Sequence, residues 1–137
     1  MLVSTTSQYA IRILLYMSGG PGKKFSAAEL IRELNISDKY LRRVMTGLAK
    51  SGFIRSIPGR NGGYVFNKSV YEITIGDIVY SIEEKTEFTK CILGFQSCDN
   101  SQPCKLHVSW GKIRDDIFNM FENTTLGAYK DIKAIQF

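Results

Sequence analysis

Residues 26–66 place two helix signals and one hairpin signal in immediate succession, and few folds accept that order. Ser26 followed three residues later by Glu29 is the pattern of a capping box, which starts a helix at Ala27. Leu30, Ile31 and Leu34 give that helix one apolar side. Asn35 and Ile36 make a turn, and Ser37 caps the next helix, which runs to about Ser51 with Gly52 as its terminator. The second helix has a buried set at i, i+3, i+4 and i+7: Leu41, Val44, Met45 and Leu48. Residues 53–57 and 64–66 are β-capable and flank PGRNGG, with Asn61-Gly62 as a hairpin turn signal and Arg60 at the tip.

Helix, tight turn, helix and basic-tipped hairpin is the order of a winged helix-turn-helix. A further helix precedes it over residues 4–18, where Tyr9, Ile13, Tyr16 and Met17 share a face widened by Ala10 and Leu14. Gly19, Gly20, Pro21 and Gly22 end that helix. The outward face of the second short helix shows Lys39, Tyr40, Arg42, Arg43, Thr46 and Lys50, with Asp38 the only acid. Such a helix fits the major groove of duplex DNA. Arg42 or Arg43 can pair with guanine edges, and Ser37, Tyr40 and Thr46 can hold phosphates, with Lys39 adding charge. An arginine at the hairpin tip, Arg60, suits a narrow minor groove. Each feature alone is also what an ordinary solvated surface shows. The charge balance adds weight: residues 1–70 carry eleven Lys and Arg against three acids, and residues 71–137 carry seven against ten. A basic first half joined to a mildly acidic second half indicates a polyanion-binding module with a separate second function.

That second function points to a short loop. Residues 91–107 hold all three cysteines, Cys91, Cys98 and Cys104, and the only histidine, His107. Gly94, Ser97, Asp99, Asn100, Ser101 and Pro103 fill the gaps, as in a loop that wraps around something. Three thiolates and an imidazole make a ligand set for a tetrahedral zinc ion or an iron–sulfur cluster. Taken singly, a cysteine is also a small buried hydrophobe. Before this loop, Thr74 caps a helix with Ile75, Ile78, Val79 and Ile82 as its stripe. After it, a longer helix from Lys105 to about Glu122 repeats Leu106, Trp110, Ile113, Ile117 and Met120 at alternating gaps of four and three, with Phe118 and Phe121 widening the stripe. A long amphipathic helix outside a small winged domain calls for a partner, and a two-fold homodimer is expected.

The expected class is mainly α with a small β-hairpin wing, a winged helix-turn-helix domain plus a long dimerisation helix. Its parts are a DNA-binding domain at 1–70, a connecting helix at 71–90, a cysteine loop at 91–107 and a dimerisation segment at 105–137. A chain of 137 residues suits one domain with an extension. No apolar run is long enough for a bilayer span, the start lacks a basic leader, and an odd number of clustered cysteines argues against a disulfide framework. The cytoplasm is the expected location. No phosphate-cradling loop or nucleophile with a partner base is present, so an enzyme is not expected.

With both halves read, the chain resembles the bacterial winged-helix regulator family of the IscR, NsrR and CymR type. The resemblance is carried by SQYAIRILLYM, ISDKYLRRVMTGLAKSGFIRS, GRNGGY, ITIGDIVYSIE, the cysteine loop with PCKLHVSW, and the late TTL. It implies a homodimeric regulator of a double-stranded DNA operator, expected to be a repressor that senses redox, nitric oxide or iron status. It further implies Cys91, Cys98 and Cys104 as cluster ligands and His107 as the fourth, a mixed set similar to that of the [2Fe–2S] members; [4Fe–4S] and zinc are the alternatives. Some relatives take an acid from the partner's first helix, and Gln8 occupies that position here. The first cysteine gap is one residue longer than in the IscR pattern, and Pro58 stands where relatives often have arginine, which leaves Arg60 the minor-groove role. The same cysteines without a cluster would make a zinc site or a thiol switch on a DNA-binding regulator.

Overall fold

A computed structural model describes residues 2–129. The three N-terminal helices are α1 (Thr5–Ser18), α2 (Ala27–Leu34) and α3 (Asp38–Lys50). Each starts where a serine hydroxyl accepts from the backbone two or three residues into the helix: Ser4 from Ser7 N–H, Ser26 from Glu29 N–H, and Ser37 from Tyr40 N–H. Caps of this kind contribute about 1 kcal/mol each. The capping box expected at Ser26 is half present. The Glu29 carboxylate turns away from the Ser26 backbone and accepts from Lys23 Nζ at 2.8 Å and Tyr16 Oη at 3.1 Å. A charged partner offers it more than a neutral amide does. Asn35 adopts a left-handed conformation at φ 49° and makes the turn between α2 and α3. Gly52 does the same at φ 84° after α3.

Ala10, Ile13, Leu14 and Met17 of α1 meet Leu30 and Leu34 of α2 and Leu41, Val44, Met45 and Leu48 of α3 in one core. Each large side chain fully buried there contributes roughly 1.5–3 kcal/mol. Tyr9 and Tyr16, expected on the same face, lie half-buried at its edge. The wing is an antiparallel pair, β1 (Ile54–Ile57) and β2 (Gly63–Phe66), in register Ile54 to Phe66 and Ile57 to Gly63. Its turn is not Asn61-Gly62. Gly62 N–H closes on Gly59 O at 3.0 Å, so Arg60 and Asn61 are the central pair and Gly59, at φ 101°, supplies the positive angle. Gly62 is needed for another reason: a Cβ there would lie 2.1 Å from the carbonyl oxygen of Ile57. A third extended segment joins the hairpin, with Phe25 and Tyr64 exchanging both backbone hydrogen bonds at 2.8 and 2.9 Å. Nothing local announces this pairing.

Helix α4 (Ile75–Ile82) carries the full capping box, with Thr74 and Asp77 bonded reciprocally. Ile78 and Val79 are buried, but Ile82 is 36% exposed and does not complete the expected stripe. Its side chain borders a cavity of about 110 Å³ against Val44, Gly47 and Leu48 of α3, so α3 covers it only in part. Helix α5 (His107–Asn123) begins two residues later than the spacing predicts. It packs on α4 through Phe121, and Val79, Phe88 and Phe121 form a second small core edged by Tyr80, Ile117 and Phe118. Beyond α5, Ile75 N–H donates to Thr124 O, Leu126 N–H donates to Ile73 O, and Thr74 bridges Thr125, so the end of α5 is laced to the start of α4.

One clasp ties the two ends of this layer together. Glu83, just past α4, accepts from Ser4 N–H at 2.8 Å and from the Ser7 hydroxyl. Burial alone pushes the Glu83 carboxyl up, but the Ser7 and Ser4 hydrogen bonds outweigh it and hold the carboxyl below its ordinary value. A depressed carboxyl stabilises the fold above the ordinary glutamate range, and the contribution disappears as pH falls through the lowered value. Glu83→Gln is therefore expected to cost about 1–2 kcal/mol near neutrality, the scale of hydrogen bonds to a charged group. In urea unfolding at neutral pH and again well below the ordinary glutamate range, the difference from wild type should close at the lower pH. An equal loss at both pH values would rule out the charge as the cause.

Candidate functional site

The outward face of α3 and the wing present one basic surface. Ser37, Lys39, Arg42, Arg43, Thr46, Lys50 and Arg60 are all exposed. Among the described residues Lys39, Arg43, Lys50 and Arg60 take part in no ion pair. Their charges are therefore available to a polyanion. Arg42 differs, because its Nε bonds Asp38 Oδ1 at 2.8 Å one turn earlier. The Thr46 hydroxyl donates to Arg42 O at 2.8 Å, which leaves it acceptor capacity only. Tyr40 is turned toward α1: its ring stands edge-on to Tyr9 at 5.3 Å between centroids, and its hydroxyl shares a 3.0 Å hydrogen bond with Thr6. Of the residues picked out from sequence, Tyr40 is thus the one that packs between elements rather than standing clear of them. A cleft of about 290 Å³ separates Arg42 and Ala27 from Ser56, Pro58 and Gly59 at the base of the wing.

The cysteine loop spans the gap between a short 3-10 turn, Lys85–Thr89, and α5. Cys91, Cys98 and Cys104 are free thiols of intermediate burial. Cys98 Sγ lies 3.7 Å from His107 Nδ1, and His107 Nε2 lies 2.9 Å from Asn100 Oδ1. The Cys91 thiol is held below its ordinary value, first by backbone hydrogen bonds from Leu93 and Phe95, with a smaller contribution from the Cys98 side chain. Asp99 fixes the turn beside Cys98 by accepting from Ser101 N–H at 2.8 Å and from the Ser101 hydroxyl. Gly94, at φ 79°, closes the turn after Cys91. His107 is the first residue of α5, and its N–H donates to Cys104 O at 3.0 Å, so Cys104 is fixed to the helix start through backbone. Cys91 and Cys98 line one side of a 610 Å³ cavity whose other wall is Arg114, Asp115 and Phe118 of α5.

In chemistry the donor set fits a cluster or a zinc ion: soft thiols, none in a disulfide, and an imidazole against one of them. In geometry the assembly is partial. Cys98 meets both His107 and Cys91, while no three His, Cys, Asp or Glu side chains among the described residues converge as a group able to hold a single metal ion. Gln8 donates from Nε2 to Val3 O at 3.2 Å in the N-terminal segment.

Of the five seam residues on α5, Leu106, Ile113 and Met120 are 45%, 52% and 52% exposed. Trp110 and Ile117 are half-buried within the chain, Trp110 through a bond from its indole N–H to Lys90 O at 3.1 Å. Lys90 O immediately precedes Cys91, so the seam and the cysteine loop touch.

The sequence profile of the Rrf2 family, described as an iron-dependent transcriptional regulator, matches residues 3–129. The chain belongs to the Rrf2 family. It is 28% identical over 139 aligned residues to the HTH-type transcriptional regulator IscR of Pectobacterium atrosepticum, covering 98% of this chain and 82% of that one. The structure of CymR, the global cysteine regulator of B. subtilis, superposes with a TM-score of 0.74 at 28% identity, covering 94% of this chain and 98% of CymR. The oxidized form of Staphylococcus aureus CymR gives 0.76 at 26% identity, covering 98% and 100%. The Rrf2 assignment makes this chain a DNA-binding transcriptional regulator and not an enzyme. The fold is the mainly helical winged helix expected from the sequence. No helix among the described residues is long and apolar enough to cross a membrane. Sequence reasoning missed two residues that shape this surface, Asp38 as partner of Arg42 and Phe25 as the strand that braces the wing. Asp38 had a findable signal, its i, i+4 spacing from Arg42; Phe25 had none.

Proposed function

We propose that this Rrf2 regulator works as a cytoplasmic homodimer that represses from a duplex operator and senses redox, nitric oxide or iron status through a [2Fe–2S] cluster. The observation that carries this reading is the set of three unpaired thiols and one imidazole, placed on the chain segment that leads from α4 into α5. Cys91, Cys98 and Cys104 would hold the cluster, with His107 as fourth ligand. When bound, such a group supplies a redox couple and an iron centre open to small oxidants. The chain's own part is mechanical. Cys98 and His107 tie the middle of the loop to the first turn of α5, and Trp110 and Arg114 tie its start to the same helix by bonding Lys90 O and Thr89 O. A change in the order of residues 91–106 therefore bears directly on α5. If Leu106, Ile113 and Met120 meet a second copy, the spacing of two α3 helices follows from the same contact. The same free thiols, with the His107 imidazole against Cys98, also suit a second use, as a zinc site or thiol switch.

Duplex binding by oxygen-free protein, measured against salt before and after iron is stripped, tests the reading. Affinity should fall steeply with salt, and Arg43→Ala should weaken binding to every sequence while flattening the log–log slope by about one. Stripped and loaded protein should differ in operator affinity. Equal affinity in both states would remove the sensor, and a flat salt dependence would remove the DNA contact surface.

A further inference from the structure

Asp38 is the one acid on the exposed face of α3, and a carboxylate beside a polyanion opposes binding. Its own surroundings suggest what it does. Asp38 Oδ1 accepts from Arg42 Nε at 2.8 Å, and both side chains are mostly exposed, at 60% and 59%. An ion pair that open adds little to folding stability. An acid in a first helical turn also favours the helix dipole, but that role needs no bond to Arg42.

The chemistry of the guanidinium supplies the link. With Nε engaged, its remaining donors are on the two terminal nitrogens, and these form the fork that meets the O6 and N7 acceptors of guanine. The Arg42 backbone is fixed as well, since its carbonyl receives the Thr46 hydroxyl. Arg42 also lines the cleft between α3 and the wing, so a duplex engaged by both elements passes beside it. Unpaired arginines such as Arg43 keep several orientations and serve a phosphate as well as a base.

We propose that Asp38 is a positioning residue that holds Arg42 by Nε and so presents its terminal N–H pair to one guanine of the operator. The proposal rests on the DNA-reading function above and adds the residue that sets base preference. It separates Asp38 from the ordinary effect of a negative charge, because the two act in opposite directions. Removing the charge should strengthen binding to random duplex; removing the buttress should blur the choice of base.

The test uses the full chain and a library of randomised duplex DNA, comparing wild type with Asp38→Asn, Asp38→Glu and Arg42→Ala. Wild type should enrich sites with a guanine at a position that Arg42→Ala no longer selects. Asp38→Asn should lose about tenfold of the preference at that same position, while its binding to random duplex stays equal or rises. Asp38→Glu keeps a carboxylate within reach and should recover part of the preference. An Asp38→Asn protein that selects the same guanine as sharply as wild type overturns the proposal, as does a uniform weakening on all sequences. If wild type enriches no sequence, the DNA-reading function itself fails and the role of Asp38 goes with it.

Discussion

Protein prepared without oxygen is expected to absorb in the visible, and Cys98→Ala to come out colourless. Cys98 is chosen over the other thiols because its sulfur alone meets two candidate ligands, the imidazole of His107 at 3.7 Å and the side chain of Cys91. Removing it should cost nearly all of the chromophore. Its intermediate burial and position in a turn-rich loop predict a stability change within about 0.5 kcal/mol, the range of surface substitutions. Loss of colour with an unchanged melting profile would therefore report on ligation and not on folding. His107→Ala should keep colour in part while shifting the spectrum, since three thiols remain. Colourless wild-type protein that contains stoichiometric zinc would replace the cluster reading with the zinc one.

The second large effect is expected from a single methyl group at the wing. Gly62→Ala would put a Cβ 2.1 Å from Ile57 O and 2.8 Å from Gly59 O, both backbone atoms that cannot swing aside. The hairpin loop has to open, and overpacking of this kind costs roughly 1–3 kcal/mol locally. The helices should be spared, because the core shared by α1, α2 and α3 takes from the wing Phe53 and Ile54, with Tyr64 and Phe66 packed at its edge, and none of these is in the turn. Arg60 sits at the centre of that turn and would be displaced. Operator affinity is expected to fall by about tenfold or more, the scale of losing a positioned groove contact, with little change in helical circular dichroism. Arg60→Ala should lose less than Gly62→Ala, since it removes the charge and leaves the wing in place. Equal binding by wild type and Gly62→Ala would mean that the wing does not touch DNA.

What could be seen in advance followed the reach of each signal along the chain. Leu41, Val44, Met45 and Leu48 announce a buried face because helical spacing is local, and Ser37 announces a cap because the amide it receives is three residues away. Pairings between distant segments leave no such mark. Phe25 beside Tyr64, Ser4 beside Glu83 and Thr74 beside Thr125 are set only once the core has formed. Competition also defeated local patterns: Glu29 left its capping amide for Lys23 and Tyr16, and a tight carbonyl approach at Gly62 moved the turn to Arg60 and Asn61. The four candidate ligands were plain as a cluster of residue types. Their partial assembly was not, because Asp99, Ser101 and Asn100 shape the loop through hydrogen bonds that spacing does not encode.

Helix α5 is tethered unequally. Its C-terminal end is stitched by backbone bonds through Thr124 and Leu126 to the start of α4, whereas its first turn holds to the rest of the chain through the cysteine loop. That makes α5 a lever with its fulcrum at Thr124 and, at His107, a tip held by the cysteine loop. With a length of roughly 25 Å, a swing of about 5° at the fulcrum carries the tip about 2 Å. A small rearrangement among the sulfurs acts at that tip and tilts the whole rod about its fulcrum, and any subunit gripping its outer side would feel it as a change of pitch.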